Sequence, residues 1–159
     1  AWAKFCRSKE VMTLARNQRA KFDYDIIKTY EAGIILTGQE VKSVRAGNVS
    51  LKGAYAALHN GELWLLNAHI SPYQKAGQLK DYEPTHSRKL LLHSRELKEL
   101  IGKLQAERLT LIPISVYTAR RRVKLELGLG RGRKRYEKRE VIKKRDIQKE
   151  IRQVLKQKA

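Results

Sequence analysis

Cysteine is nearly absent: Cys6 is the only one in 159 residues, which excludes an internal disulfide and a cysteine-rich zinc site and fits a reducing compartment. Long apolar runs are missing as well. No stretch approaches the roughly 20 residues that cross a bilayer, and the N-terminus has no secretory hydrophobic region. His59, His69, His86 and His93 lack metal-ligand spacing, and neither HExxH nor CxxC completes a ligand set, so no metal or other cofactor is expected. Acidic side chains are also scarce, 16 against 35 Lys and Arg, for a formal net charge of +19. That excess goes beyond what solubility needs and calls for a polyanionic partner. Nucleic acid ranks first and an anionic membrane surface a poor second.

The charge divides the chain. Residues 131–159 hold 13 basic and 4 acidic residues, net +9, and residues 1–130 hold the other 22 and 12, net +10. The length suits one domain with a hydrophobic core. Residues 1–14, with Trp2, Phe5, Lys4, Arg7 and Lys9 in no sustained period, read as a loosely held basic arm. Residues 15–130 form the body. Residues 131–159 read as a tail that is disordered when free and helical when a partner neutralises it, with Ile147, Ile151, Val154 and Leu155 on one helical face. Ala1 in place of Met is compatible with removal of an initiator Met or of an organellar transit peptide.

Within the body, a short helix is expected over Leu14 to Lys21. Tyr24, Ile26, Lys28 and Tyr30 alternate with their neighbours, predicting a long strand from Phe22 to Leu36 with a bulge or bend at Gly33. Thr37 and Glu40 form a capping box opening a two-turn helix that ends at Gly47. Asn60-Gly61 supplies positive φ at both centres of a type I′ turn, so Tyr55–His59 and Glu62–Ile70 make a hairpin. Residues 71–88, which hold two of the 3 prolines, read as a long exposed loop. Leu97, Leu100, Ile101 and Leu104 share one face of a helix that begins at Ser94. Leu109–Tyr117 and Arg122–Leu129 form a second hairpin through Ala119-Arg120-Arg121, with Val123, Leu125, Leu127 and Leu129 inward. Strands of changing length, two or three short helices and no βαβ alternation predict a mainly β fold, an antiparallel oligonucleotide-binding-type barrel.

Chemistry follows the same residues. Glu31 and Glu40 have no spacing that defines an acid/base pair, and Gly128-Leu-Gly-Arg-Gly132 lacks the Lys-Ser/Thr of a P-loop, so catalysis is not expected. That glycine motif is read as ending the barrel and allowing close backbone approach to an RNA strand. Lys21-Phe22-Asp23-Tyr24, His86-Ser-Arg88-Lys89 and Arg135-Tyr136 place cations beside stacking rings, the mixture that grips phosphates and exposed bases.

Asn17, Arg19-Ala20, Asp23-Tyr24, TYEAGIILTGQEVKSVRAG (29–47), LKGAY (51–55), NAHISPY (67–73), RKLLLH (88–93), VKLELGLGRG (123–132), YEKRE and IKKRD together closely resemble the small protein B family, over residues 15 to about 152. The resemblance implies a barrel that clasps the tRNA-like domain of tmRNA on its D-loop side. It also implies delivery to the A site of stalled ribosomes in trans-translation, with elongation factor Tu and GTP carrying the alanyl-tmRNA. Carried over by motif, the RNA-binding residues would be Asn17, Arg19, Tyr24, Glu31, Lys42, Arg45, Lys89, Lys124, Arg131 and Gly132, with Glu40 left to the helix cap. The tail would sense the empty mRNA channel, beside the decoding centre and small-subunit rRNA. Its residues are Tyr136, Glu137, Lys138, Arg139, Ile142, Lys143, Lys144, Arg145 and Asp146. The resemblance further implies a monomer in a bacterial cytoplasm, or an organellar homologue, with no membrane association. Three positions depart from the family pattern: Glu137 stands for Asp, Gly130 for Ala, and Arg16-Asn17-Gln18 for Glu-Asn-Arg.

Overall fold

A computed structural model describes residues 11–77 and 81–157; most of the expected N-terminal arm lies outside them. In chain order the elements are β1 (Met12–Arg16), α1 (Ala20–Asp23), β2 (Tyr24–Ile34), α2 (Gly38–Arg45), β3 (Val49–Ser50), β4 (Tyr55–His59), β5 (Glu62–Leu66), β6 (His69–Ile70), β7 (Arg88–Leu91), α3 (Ser94–Ala106), β8 (Thr110–Ala119), β9 (Arg122–Gly132) and α4 (Arg135–Gln157). A single 3-10 turn covers Gln74–Ala76. All strand pairs are antiparallel. The order β8-β4-β5-β7-β2-β9 closes on itself through β8–β9, while β1 lies on β8 and β3 pairs with β6. Closure leaves β9 and β8 paired with each other rather than as edges of an open sheet, while β1 keeps an outer edge.

Period-2 alternation fills the barrel. Tyr30 and Ala32 of β2, Leu63 and Leu65 of β5, Leu90 of β7 and Leu125, Leu127 and Leu129 of β9 are buried in one core. Val44 of α2 and Leu100 of α3 join that core, so each helix buries one stripe. Fully burying a Leu side chain contributes roughly 1.5–3 kcal/mol, so this leucine-rich interior dominates the fold's stability.

Local signals behave as their chemistry requires. Thr37 accepts from the Glu40 amide and Glu40 returns a carboxylate oxygen to the Thr37 amide, completing the capping box. Asn60 and Gly61 take φ of 50° and 74°. The β8–β9 turn has the same backbone signature, φ of 48° at Arg120 and 65° at Arg121, without Asn or Gly to ease it.

Several expectations need correction. β1 begins at Met12, inside the stretch read as an arm, and its register against β8 slips between Thr13 and Ala15. That slip hides the alternation by which a strand is recognised. Pairing with β8 also takes residues 14–16, leaving only Ala20–Asp23 helical. The bulge in β2 falls between Ile26 and Lys28, not at Gly33, which pairs regularly with Lys124 and Leu91. β5 stops at Leu66 because Asn67 turns the chain at φ 57°, and β6 then leaves for β3. β9 runs on to Gly132, two residues past the expected end of the body.

Residues 71–88 are not simply an exposed loop, since Arg88 opens β7 and is 2% exposed. Its guanidinium reaches Glu40 at 2.7 Å and the carbonyls of Ala68 and Pro84 at 2.8 and 3.0 Å. Tyr82 donates to the Ile70 carbonyl at 2.9 Å. Arg88 therefore ties the loop to α2, and the expectation that it grips RNA is withdrawn. A buried guanidinium with a carboxylate partner has no access to phosphate.

α4 forms a helix over Arg135–Gln157. Its first turn is capped by Glu137, which accepts from the Lys134 amide at 2.8 Å. Among the described residues no helix is long and apolar enough to cross a membrane.

Candidate nucleic-acid interface

A cation serves a phosphate best when no carboxylate already neutralises it, so the ion pairs sort the basic residues. Lys28 and Lys103 share Glu99 at 2.8 and 2.7 Å, and Lys138 holds Asp23 at 2.9 Å. Lys124 pairs with Glu31, and Lys89 with Glu62. Arg131 and Arg133 lie at a looser 3.7 and 3.8 Å from Glu107 and Asp25. Solvent screens such exposed pairs, so a polyanion can displace them. Arg16, Arg19, Lys52, Arg120, Arg121 and Arg122 make no ion pair among the described residues.

The first of two clefts is centred on Glu31. Counting back from the Arg120-Arg121 turn sets Tyr117 opposite Lys124 across the β8–β9 hairpin, and Glu31 lies on the neighbouring β2. Tyr117 donates its hydroxyl to one Glu31 oxygen and Lys124 its ammonium to the other. Burial, then the Glu31 and Glu126 charges, pushes the Tyr117 phenol well up, keeping it a donor at neutral pH. The cleft measures about 450 Å³, and Arg120 and Arg122 line its mouth beside Lys124. Sequence reasoning expected Glu31 and Lys124 here but missed Tyr117, although hairpin register alone would have found it. Leu91 is exposed one strand over, against Gly33.

The second cleft, about 890 Å³, lies between the β1–α1 corner and residues 49–55, and brings Asn17, Arg19 and Tyr24 together with Arg16, Lys52 and Tyr55. Asn17 is consumed by the fold. Pro113 has no amide hydrogen for a strand ladder, and β8 slips in register between Pro113 and Ser115. Asn17 takes up the displaced carbonyls, its amide donating to Ile114 at 2.7 Å and its side chain to Pro113 at 3.1 Å. Its own side-chain oxygen accepts from the Arg19 amide at 3.2 Å, which sets the turn that carries Arg19.

Arg131 and Gly132 end β9 beside Tyr24, the ring of which would be 3.8 Å from a Cβ at Gly132. The glycine motif needs its close approach elsewhere than expected. A Cβ at Gly130 would stand 2.5 Å from the Asp25 carbonyl oxygen, and one at Gly128 would meet Ile114 and Ile26 at 2.8 and 2.9 Å. Gly128 and Gly130 therefore serve strand contact inside the protein, with both positions buried.

α2 presents Lys42 and Arg45 on its exposed side. Lys42 lies 5.9 Å from the Tyr73 ring centre, and Arg45 donates to the Arg121 carbonyl at 2.6 Å. Lys89 stands half-buried with Glu62. The expected RNA-binding residues thus divide between the Glu31 cleft, the Tyr24 cleft and the α2 surface, with Lys89 apart from these on β7.

The tail residues form a separate unit. Tyr136 is exposed, with its hydroxyl 3.4 Å from Glu137. Lys138 reaches Asp23, and Arg145 lies over the Phe22 ring at 5.5 Å, so the first half of α4 leans on α1. Arg139, Ile142, Lys143, Lys144 and Asp146 are exposed. The apolar residues Ile147, Ile151, Val154 and Leu155 are exposed as well.

The pattern of the SmpB protein family matches residues 14–157. The chain is 50% identical over 144 residues to the SsrA-binding protein of Trichodesmium erythraeum, covering 91% of this chain and 92% of that one. It is 52% identical over 143 residues to the SsrA-binding protein of Nostoc punctiforme, covering 90% and 92%. For that of Roseiflexus castenholzii the identity is 47% over 146 residues, covering 92% of each. Among solved structures, it matches a chain described as "tmRNA-SmpB: a journey to the center of the bacterial ribosome". The TM-score is 0.62 at 48% identity, over 76% of this chain and 85% of that chain.

Proposed function

The chain belongs to the SmpB protein family, and from that premise we propose that it is a non-enzymatic adaptor that binds the tRNA-like domain of tmRNA on its D-loop side. It brings the alanyl-tmRNA, carried by elongation factor Tu with GTP, to the A site of stalled bacterial ribosomes, acting as a cytoplasmic monomer. Incomplete peptides are thereby tagged for degradation.

The observation that carries this reading is the placing of unneutralised cations around two clefts that also present aromatic rings, Tyr24 and Tyr55 in one and Tyr117 in the other. Cations fix the phosphate backbone, and rings and carboxylates meet bases, the division of labour that structured RNA requires. In this reading Arg19, Tyr24, Glu31, Lys42, Arg45, Lys89, Lys124, Arg131 and Gly132 face the RNA. Asn17 acts through the turn it sets.

The tail performs the second task. Tyr136 to Asp146 lie along the empty mRNA channel near the decoding centre, where small-subunit rRNA neutralises their charge and Tyr136 stacks on a base. The exposed cationic surface of α4 and the small number of contacts that hold it to α1 support this role.

A gel shift with a transcript of the tRNA-like domain tests the proposal. Binding should be tighter than to a duplex of equal length and should weaken steeply with salt. Equal affinity for any RNA would sink it. Removal of residues 133–159 should leave this affinity largely intact while abolishing tagging on stalled ribosomes.

A further inference from the structure

The tip of the β8–β9 hairpin carries three consecutive arginines, Arg120, Arg121 and Arg122, all exposed. We propose that this tip, braced by Arg45, is a phosphate-binding surface that grips the sugar–phosphate backbone of the RNA seated in the Glu31–Lys124 cleft. The inference rests on the proposed function and adds residues that the family resemblance did not supply.

Three observations support it. First, none of the three guanidiniums has an ion-pair or hydrogen-bond partner among the described residues, whereas Lys124 in the same cleft is paired with Glu31. Cations left unpaired this close together repel one another, so the arrangement favours an anion brought from outside.

Second, Arg120 and Arg121 occupy the two positive-φ positions of the turn. Asn and Gly adopt that backbone with far less strain, and this chain uses them at 60 and 61. A strained turn retained with arginine in both places has charge, not backbone ease, as its evident benefit.

Third, the tip is held in place. Arg45 donates from a different element to the Arg121 carbonyl at 2.6 Å, fixing the turn against α2. Arg120 and Arg122 open into the cleft that Glu31 and Lys124 line. Glu31 is the only carboxylate among the described residues of that cleft and is already met by Lys124 and Tyr117, so the mouth is net positive. Guanidinium forks suit the paired oxygens of a phosphodiester, and such contacts carry no base preference.

The test uses Arg120→Asn with Arg121→Gly, which converts the tip into the same Asn-Gly turn as 60–61. Its thermal midpoint should equal or exceed that of the wild type, since the turn backbone is relieved. Binding of the tRNA-like transcript should weaken roughly tenfold near 0.15 M salt, and the slope of log Kd against log salt should fall by about 2, one unit per lost phosphate contact. The single variant Arg122→Gln, outside the two strained positions, should lower the slope by about 1 and decides the matter if the double variant misfolds. Unchanged affinity and slope in folded variants overturn the inference while leaving the proposed function standing. If the wild-type chain shows no preference for the tRNA-like transcript, the functional reading falls and takes this inference with it.

Discussion

Nε and Nη2 of Arg88 both point at one oxygen of Glu40, at 2.9 and 2.7 Å, and each residue is 2% exposed. The other Glu40 oxygen caps α2 through the Thr37 amide at 2.9 Å. One carboxylate thus joins a helix start, the loop before β7 and β7 itself.

Breaking this pair from one side should be costly. Arg88→Met leaves a buried carboxylate without its guanidinium and is expected to destabilise the fold by about 3–5 kcal/mol, measured by urea unfolding. Adding Glu40→Gln should cost less than the two single effects combined. Strict additivity would show that the residues do not act as a unit.

Acid should reveal the same group. Burial pushes the Glu40 carboxyl up, but the Thr37 amide and the Arg88 guanidinium outweigh it and leave it below its ordinary value of 4.5. A lowered folded value means stability that is complete above that ordinary value and is lost as pH falls from there through the folded one. The urea midpoint should therefore drop below about pH 4.5 more steeply in the wild type than in Glu40→Gln. Parallel curves would remove Glu40 from the acid response.

Tyr117→Phe removes the hydroxyl that holds Glu31 and leaves the ring in place. Stability should change by less than about 3 kcal/mol, the upper worth of a hydrogen bond to a charged group, while affinity for the tRNA-like transcript falls several-fold. In Glu31→Gln the same tyrosine change should matter much less. An equal loss in both backgrounds would deny that Tyr117 acts through Glu31.

Gly128→Val would drive methyl groups into Ile114 and Ile26, which a Cβ alone already meets at 2.8 and 2.9 Å. Overpacking of this kind costs typically about 1–3 kcal/mol. A urea midpoint equal to that of the wild type would show that β8 and β2 yield more freely than their packing indicates.

The tail helix gives a spectroscopic prediction. Far-ultraviolet circular dichroism of the full chain, minus that of residues 1–134, should show α-helix from the 23 residues of α4. Asp23→Lys should loosen its first half, because it sets a cation against Lys138 in place of the 2.9 Å ion pair. A coil difference spectrum would return the tail to order gained only on a partner.

Short-range chemistry made much of this protein legible from its sequence. The capping box at Thr37 and Glu40, the Asn60-Gly61 turn, the apolar face of α3 and the alternation of β9 each depend on residues within a few positions of one another, and each is found where expected. The family resemblance, too, rests on contiguous motifs, and the match over residues 14–157 confirms it.

Tertiary structure decided what depends on distant partners. β1 is a strand because β8 pairs with it, and its own bulged alternation does not announce it. Arg88 looks like any RNA-binding arginine until Glu40, 48 positions away, is found against it. Gly130 reads as a place for RNA until the Asp25 carbonyl fills the space. The excess of positive charge, and with it the need for a polyanion, belongs to composition. Which cations remain free to meet that polyanion is settled only when folding brings carboxylates to some of them and not to others, because a charge pairs with what stands within a few ångströms in space, wherever it lies along the chain.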